Sequence, residues 1–405
     1  MGVHSTFVVK INQPILFLFH LCNGYTLIFK LYFVNRVLMK KTVCLNMIVK
    51  NEAPVIRRCL STVKPWIDTW VISDTGSTDG TQKIILDFMK DIPGQLIEEK
   101  WVDFSYNRNQ VLEIAKTLSD FSLFIDADEE FFPNPDVFEL PMDCDYYSIQ
   151  INEGISFHER VFFLRNACQI FWAGVLHECL ASNQVYRKGF WDQGFILSNS
   201  HEGNRSQDPK KYLKDAQVLA DALKEDPQNR RYRFFLAQSY ANANCHDMAL
   251  PEYMKRSEMQ GDEDEVFFSL FMIGVCQEAL KFDPEIYAKS FLKAHQFRPY
   301  RHEPLFGLAV FYVRQEKFQE AYMILKQAME IRCPDDSIFV QTHVRDHLIP
   351  YLLIQCCEKL RRYKECLDEG MNLLAKKNIP RHMHQELRRS LMHLRPYIQS
   401  IGVIL

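Results

Sequence analysis

Residues 121–130 read Phe121-Ser-Leu-Phe-Ile-Asp126-Ala-Asp128-Glu129-Glu130, an apolar run that ends in four acids within five positions. The short apolar run is typical of a strand buried in a sheet. Acids that directly follow such a strand lie at the carboxyl edge of the sheet, where open α/β folds bind their ligands. Clustered carboxylates repel one another unless a cation neutralises them, and oxygen ligands suit Mg²⁺ or Mn²⁺. The stretch therefore indicates a metal-held diphosphate, with an acidic surface turn as the alternative.

Length and composition set the class of protein. The chain has 405 residues, of which 47% are hydrophobic and 24% charged, so it is long enough for two globular domains. The formal net charge is −3, and a nucleic-acid binder would need a strongly basic face instead. We therefore expect no nucleic-acid partner.

The cysteines indicate a reducing compartment. All 12 are scattered singly except for Cys356-Cys357, and no pair or Cys/His cluster has zinc-ligand spacing. Several fall within apolar stretches, as reduced core thiols of a cytoplasmic protein do.

The apolar leader, residues 1–41, has two interpretations. Its hydrophobic run is broken by His20, Asn23 and Gly24 and interrupted by Lys30, whereas a spanning helix needs roughly 20 mostly apolar residues. No small-residue cleavage site follows it, so a secretory signal is not favoured. Either translation starts at Met39, or the leader is a weak membrane anchor. We therefore expect a cytoplasmic protein, with peripheral or N-terminal membrane association as the alternative.

From Thr42 to about position 201, strand-like runs alternate with helix-like ones. Strands are predicted over 43–49, 70–73 and 96–98 and in the run entering Asp126, and helices over 55–63, 81–90 and 107–118. This order predicts a parallel, doubly wound α/β sheet. The alternating segments 146–151 and 161–164 look antiparallel, so we expect the sheet to be mixed.

From about position 210 the pattern is helical throughout. Small residues recur among aromatic ones, with 37 positions between Ala237 and Gly274 and 35 between Gly274 and Ala309. These spacings bracket the ~34-residue period of tetratricopeptide helix pairs. Residues 317–321 and 362–366 look like the turn and second-helix start of successive repeats. An irregular helical bundle is the alternative.

Four segments, in this order, resemble family 2 glycosyltransferases, nucleotide-sugar enzymes of the GT-A fold. The segments are Leu45-Asn-Met-Ile-Val-Lys50-Asn51-Glu52, Ser73-Asp74-Thr-Gly76-Ser77-Thr78-Asp79-Gly80-Thr81, Phe104-Ser-Tyr-Asn-Arg108-Asn109 and Phe124-Ile-Asp126-Ala-Asp128-Glu129. The resemblance covers roughly 160 residues, from about Thr42 to His201.

The resemblance implies roles for the donor-side residues. Asp74 would contact the uracil of a UDP-sugar, and Glu52 would lie near the nucleoside. Asp74 could instead stabilise its own turn, and residues 51–54 would also make a good helix start. Arg108 would hold phosphate or orient carboxylates; alternatively, it pairs with Asp126 or Glu129 at the sheet edge.

The resemblance also implies metal and acceptor residues. Asp126 would belong to the ribose and metal shell and Asp128 would bind the metal directly, while Glu129 and Glu130 would face water. In the segment Trp172-Ala-Gly174-Val-Leu-His177-Glu178, Glu178 is the candidate base that deprotonates the acceptor. His177 is a candidate second-shell or acceptor contact, and His201 a candidate third metal ligand.

Together these features predict a GT-A glycosyltransferase domain over 42–205, Rossmann-like with a mixed, mostly parallel sheet, and an all-α tetratricopeptide-like domain over 206–400. The expected reaction moves a sugar from a nucleoside diphosphate sugar to a saccharide, lipid or peptide acceptor, with Mn²⁺ or Mg²⁺ as cofactor and inversion at the anomeric carbon. The helical domain could hold a protein partner or acceptor, or cap the catalytic domain. Alternatives are an inactive glycosyltransferase-like scaffold and a nucleotidyltransferase, although the loop at 50–54 lacks the glycine-rich phosphate loop usual in the latter.

Overall fold

The computed structural model describes residues 17–20, 26–29, 41–134, 143–153, 156–199, 202–332, 340–376 and 379–400. The chain divides into a small unit, residues 1–42, and a compact unit, residues 43–405. In the small unit, β1 (Phe17–His20) pairs antiparallel with β2 (Thr26–Phe29). The rest of the predicted leader lies outside the described residues. Among the residues that are described, no helix is long and apolar enough to cross a bilayer.

Four parallel strands form the first half of the main sheet. They are β3 (Val43–Val49), β4 (Thr69–Asp74), β5 (Gly94–Glu98) and β6 (Phe121–Phe124), in the order β5-β4-β3-β6. The connecting helices are α1 (Ile56–Val63), α2 (Thr81–Met89) and α3 (Phe104–Leu118). Because β3, β4 and β6 are covered by helices on both faces, their residues are almost all buried. The predicted strand–helix alternation is confirmed.

The second half of the sheet is mixed, as predicted. Its strands are β7 (Glu129–Pro133), β8 (Tyr146–Glu153), β9 (Ser156–Arg165) and β12 (Lys188–Ser198), which extend the order as β6-β9-β8-β12-β7. β9 is antiparallel to both β6 and β8, whereas β12 is parallel to β8 and antiparallel to β7. A separate hairpin consists of β10 (Phe171–Ala173) and β11 (Cys179–Ala181). The acidic turn at 126–128 thus connects an interior strand to an edge strand.

Helix α3 begins three residues earlier than the sequence predicted. The carboxylate of Asp103 accepts a hydrogen bond from the backbone N–H of Tyr106 at 2.7 Å and caps the helix. Arg108 therefore lies in the second turn of α3 rather than at its start.

After Ser198 the described residues form helices only. They are α4 (Lys211–Glu225), α5 (Arg230–Asn242), α6 (His246–Glu258), α7 (Glu263–Ala279), α8 (Pro284–Phe297), α9 (Glu303–Arg314), α10 (Phe318–Glu330), α11 (Ile349–Lys359), α12 (Tyr363–Leu374) and α13 (Arg381–Ser400). Short 3₁₀ turns, Lys64–Trp66 and Asn204–Gln207, and a π-helical turn, Val344–Leu348, complete the secondary structure.

The loops of the helix pairs repeat one backbone motif. A left-handed residue follows α5, α7, α9 and α11, with φ between 55° and 59°: Asn244, Lys281, Glu316 and Arg361. In each case the next N–H donates to a carbonyl five residues back, for example Cys245 to Tyr240 and Arg362 to Cys357. This is the helix-ending motif in which a left-handed residue lets the chain reverse. The predicted helix-pair repeats are confirmed, and α10 and α12 begin where the sequence placed second helices.

Small residues let adjacent helices approach closely. Ala237, Ala249, Ala309 and Ala321 are fully buried. A β-carbon on Gly274 would lie 2.6 Å from the ring of Phe291. The buried apolar surface between successive helices, rather than one central core, therefore stabilises this region.

Helices α4 and α5 pack against the turn between β10 and β11. Leu176 belongs to the same apolar cluster as Leu219 and Phe234. The Val175 N–H donates to the Tyr232 hydroxyl at 3.2 Å. The helical region is therefore joined to the sheet region by a buried apolar contact.

Candidate active site

A cavity of about 750 Å³ opens at the carboxyl ends of β3, β4 and β6. Its lining comes from these strand ends, the start of α3, the segment 203–208 and helix α4. The lining includes Val49, Glu52, Thr75, Arg108, Asp126, Asp128, Leu176, Gly203, Arg205, Lys211 and Lys214. Its size is in the range of small-molecule sites.

Asp126 is clamped by two arginines. Its Oδ1 accepts from Arg108 Nη2 at 2.9 Å, and its Oδ2 accepts from Arg160 Nη1 at 2.9 Å. Burial alone would raise the pKa of this carboxyl, but the two guanidinium groups hold it well below its usual range. The alternative interpretation of Arg108, as a partner of Asp126 at the sheet edge, is therefore what the structure shows.

Arg160 also pairs with Glu129, whose carboxylate in turn accepts from the Asp126 N–H at 2.9 Å. Glu129 is 3% exposed, so the expectation that it faces water was wrong. Glu130 is partly buried as well, with its carboxylate 3.1 Å from Arg58. The physical reason is that β7 starts at Glu129 and turns its first residue into the sheet.

Glu178, the predicted base, lies on the other side of Arg108. Its Oε1 accepts from Arg108 Nε at 2.6 Å. The side chains thus form a chain of alternating charge from Glu178 through Arg108, Asp126 and Arg160 to Glu129. Arg108 can move with an incoming ligand only if both of its carboxylates find other partners.

Asp128 and Glu52 form the other end of the carboxylate cluster. Asp128 accepts a backbone hydrogen bond from Gly203, where a β-carbon would lie 2.5 Å from its Oδ2. Glu52 accepts from the Asn204 N–H at 3.3 Å. Neither forms a salt bridge with a lysine, arginine or histidine of the described residues.

The electrostatics of this end differ accordingly. Burial raises the pKa of Glu52 to about 7; Asp128, Asp79 and Asp126 add to the shift, and the Asn204 hydrogen bond opposes it. The pKa of Asp128 is raised by burial and by the Asp126 charge. Carboxylates in this state gain from a cation.

Backbone hydrogen bonds fix the position of Glu52. Asn51 takes a left-handed conformation, with φ of 55°. Its N–H donates to Ser77 Oγ at 2.7 Å, and the Glu52 N–H donates to Thr81 Oγ1 at 2.9 Å. The end of β3 is thereby tied to the turn after β4. The Glu52 carbonyl also accepts from the N–H of Ile56, so this segment starts α1 as well.

Some of these side chains suit a divalent cation, but the described residues do not supply a complete set of ligands for one. Asp128 and Glu52 offer hard oxygen ligands without a protein cation beside them. Both oxygens of Asp126, by contrast, are occupied by arginines. His201, the predicted third ligand, lies outside the described residues. Among those that are described, no group of three or more histidine, cysteine or acidic side chains is arranged to hold a metal. A bound ion would take its remaining ligands from substrate and water.

Asp74 is 1% exposed and stabilises its own turn. Its Oδ1 accepts from the N–H groups of Gly76 and Ser77 at 2.9 and 2.8 Å. Its Oδ2 is buried without a hydrogen-bond partner. The turn-stabilising alternative is therefore present, and contact with a nucleobase through Oδ2 stays a prediction.

His177 does not line the cavity. Its ring stacks on Phe235 of α5 with centroids 3.8 Å apart, and its φ of 53° is left-handed. Its carbonyl accepts from Arg231 Nη2 at 3.1 Å. Burial, together with the charges of Arg231, Arg205 and Lys211, lowers the pKa of His177 to about 4. The geometry gives this residue a role in joining the two regions, and acceptor contact stays a prediction.

Sequence reasoning missed Arg160 and the contribution of α4. Arg160 lies in a strand with several charged neighbours, so its side chain is indistinguishable by pattern from a solvent-facing one. The four clustered acids did indicate a neutralising cation, which the sequence analysis assigned to a metal ion rather than to a second arginine.

Comparison with known proteins agrees with this geometry. Residues 44–140 match the model of Glycosyl transferase family 2. The SPbeta prophage-derived glycosyltransferase SunS of Bacillus subtilis (strain 168) is 25% identical over 228 residues, which cover 53% of each chain. A TPR repeat-containing protein of Synechococcus elongatus is 42% identical over 89 residues, 22% of this chain and 21% of its own. The chain thus spans about half the length of SunS.

Two solved structures show a weak similarity to this chain. The crystal structure of MamA has a TM-score of 0.34 at 12% identity and covers 40% of this chain and 87% of its own. The Cut9–Hcn1 structure has a TM-score of 0.37 at 16% identity and covers 46% and 34%. At these scores the fold of the helical region rests on its helix pairs and left-handed turns.

Proposed function

We propose that this protein is a metal-dependent glycosyltransferase that moves a sugar from a nucleoside diphosphate sugar to a nucleophile of an acceptor. The observation that carries the proposal is the pair Asp128 and Glu52. These carboxylates line a cavity at the carboxyl ends of parallel strands, within the stretch that matches family 2, and neither forms a salt bridge with a cation of the described residues. An inactive scaffold would have no use for such a costly arrangement.

In this proposal the donor diphosphate lies beside Asp128, with Mn²⁺ or Mg²⁺ between them. The ion would stabilise the negative charge that develops on the leaving diphosphate. Glu52 and Asp126 would lie on the nucleoside side. Asp74 Oδ2, which has no hydrogen-bond partner among the described residues, is buried beside the cavity lining and would bind a uracil N–H once the turn after β4 exposes it. His201 would complete the ligand set from the chain that follows β12.

Glu178 is the proposed base, and inversion at the anomeric carbon is the proposed outcome. The acceptor nucleophile forms a bond to the anomeric carbon while the bond to the diphosphate oxygen breaks, and its proton passes to the Glu178 carboxylate. In the structure this carboxylate accepts a hydrogen bond from Arg108. Contact between Arg108 and a substrate phosphate would draw the guanidinium away and free the Glu178 carboxylate for the acceptor.

The acceptor class is left to experiment among saccharides, lipids and peptides. Helix α4 lines the cavity, so the helical region belongs to the active site, whether or not it also binds a peptide or protein partner. The ten described cysteines are all free thiols, which supports a cytoplasmic location.

The test is a thermal-shift screen of the full chain with UDP-, GDP- and dTDP-sugars in the presence of Mn²⁺, followed by donor hydrolysis. We expect a preference for the uridine donors, hydrolysis that requires the ion, and its loss in Asp128→Ala. Asp87→Ala is the matched control, because Asp87 is an exposed acid on α2. No binding of any nucleotide sugar would reject the proposal and favour the scaffold. Full activity of Asp128→Ala in excess chelator would instead reject the metal role of Asp128.

A further inference from the structure

Helix α4 contributes positive charge to the lining of the same cavity as the acidic strand ends. Lys211, Lys214 and Val218 of α4 line the cavity together with Arg205 of the preceding turn. Leu176 and Leu219 pack in one apolar cluster and hold the helix there. The charges of Lys211 and Arg205 reach far enough to lower the pKa of His177.

Two of these three cations already have partners within the same wall. Arg205 pairs with Asp215, and its guanidinium lies 4.6 Å from the ring centroid of Phe104. Lys214 Nζ lies 2.5 Å from a carboxylate oxygen of Asp208. The charges of Arg205 and Lys214 are therefore already neutralised by neighbouring aspartates.

Lys211 is different. It is half-buried, and its ammonium lies 5.4 Å from the Tyr212 ring centroid. It forms no salt bridge with an acid of the described residues. A lysine whose charge is partly removed from water without a carboxylate beside it gains from an anionic ligand.

We propose that Lys211 binds the donor diphosphate on the side opposite Asp128. This inference rests on the proposed function and extends it, because it assigns a leaving-group contact to the helical region. A diphosphate carries more negative charge than one divalent ion neutralises, so a second cation stabilises it. In the transfer step the electron pair of the broken bond goes to the diphosphate oxygen, and Lys211 keeps its proton and binds that oxygen.

The proposal favours the donor over an acidic acceptor because of where α4 begins. The segment that leads into α4 supplies the N–H groups of Gly203 and Asn204 to Asp128 and Glu52. The lysine and the carboxylates are thus linked through one short stretch of chain around the same cavity.

The test compares calorimetric affinities for UDP and UMP, with Mn²⁺, in the full chain and three variants. If the donor screen selects guanosine, GDP and GMP replace them. We expect Lys211→Met to weaken UDP binding about tenfold and UMP binding less than twofold, since the lost contact is one charge-assisted hydrogen bond to the second phosphate. Lys211→Arg should retain most of the affinity. Lys210→Met is the matched control, because Lys210 is exposed and does not line the cavity.

The outcomes separate this inference from the proposed function. If the unaltered protein binds no nucleotide, the proposed function fails. Suppose instead that the unaltered protein binds UDP. If Lys211→Met then binds UDP with an affinity within twofold of the unaltered protein, only the Lys211 inference is overturned. The same holds if Lys211→Met loses affinity for UDP and UMP equally. A change confined to the KM of the acceptor would also overturn it and assign the lysine to the acceptor. Equal thermal unfolding of the Lys210 and Lys211 variants checks that both fold.

Discussion

The two ends of the carboxylate cluster are built from the same residue types, aspartate and glutamate, but have different partners. At one end Asp126, Glu129 and Glu178 share two arginines, and the pKa of Asp126 is held low. At the other end Asp128 and Glu52 have only backbone N–H partners, and both pKa values are raised. Four of these five acids closely follow the ends of β3 and β6, and Glu178 is connected to them through its ion pair with Arg108.

This difference distinguishes the carboxylates that hold the structure together from those that are available to a ligand. Carboxylates that arginines neutralise hold α3, β9 and the acidic turn together. Carboxylates without such a cation are the ones that a ligand must neutralise. On this account Asp128 acts on the substrate through a bound ion, whereas Asp126 chiefly holds the acidic turn in position.

Asp128→Asn should have the largest effect on activity. Removing the charge that holds the ion should lower the rate of sugar transfer by on the order of 10²–10³. The same variant should unfold at the same urea concentration as the unaltered protein or a higher one, because it relieves repulsion with Asp126 and Glu52. A large loss of stability would show instead that Asp128 belongs to the structural end.

Arg160→Met tests the paired end. The substitution removes one guanidinium partner from both Asp126 and Glu129. We expect the free energy of unfolding to fall by about 2 kcal/mol. This is less than the cost of breaking a fully buried pair, because Arg160 is partly exposed. Urea denaturation measures it. Arg160→Lys should recover part of the loss.

Lys188→Met is the control for Arg160, since it breaks an exposed pair with the neighbouring Glu159. Its expected effect is below about 1 kcal/mol. If both variants lost equally little free energy of unfolding, the pairing of Arg160 with Asp126 would not contribute to stability.

Glu52→Gln should have the smallest effect, visible as a pH dependence. The pKa of Glu52 is raised to about 7, so its folded state favours the protonated form. That contribution is complete below the unfolded pKa and is lost as pH rises through 7. Without a divalent ion, the stability advantage of Glu52→Gln over the unaltered protein should therefore grow by about 1 kcal/mol between pH 4.5 and pH 8, once solvent screening is allowed for.

Urea titrations at the two pH values, with exposed Glu225→Gln as control, measure this gap. Mn²⁺ at pH 8 should narrow it, because the ion replaces the proton as the partner of Glu52. A gap independent of pH would contradict the raised pKa of Glu52 and the burial that chiefly causes it.

The local architecture was predictable because local patterns determine it. The run 43–49 became β3 without change. Small residues such as Gly274 marked the helix pairs, since only they allow the contact with Phe291. Helix α3 was predicted three residues short, because the capping role of Asp103 was not recognised.

The site was predictable only in part. Strand-end residues such as Asp126 and Asp128 follow from the topology. The clamp by Arg160 depends on β9 pairing with β6, a long-range register that no local pattern specifies. Likewise, the packing of Leu176 on α4 brings Lys211 to the cavity, and that contact joins segments that are remote in sequence.

Calorimetric titration of Mn²⁺ and UDP into the full chain tests the central claim most directly, with Asp128→Asn and Asp87→Asn compared side by side. The account predicts that Asp87→Asn binds the Mn²⁺–UDP pair like the unaltered protein and that Asp128→Asn binds it at least about tenfold more weakly. Equal affinity in all three proteins would contradict the claim that the unneutralised end of the cluster holds the ion.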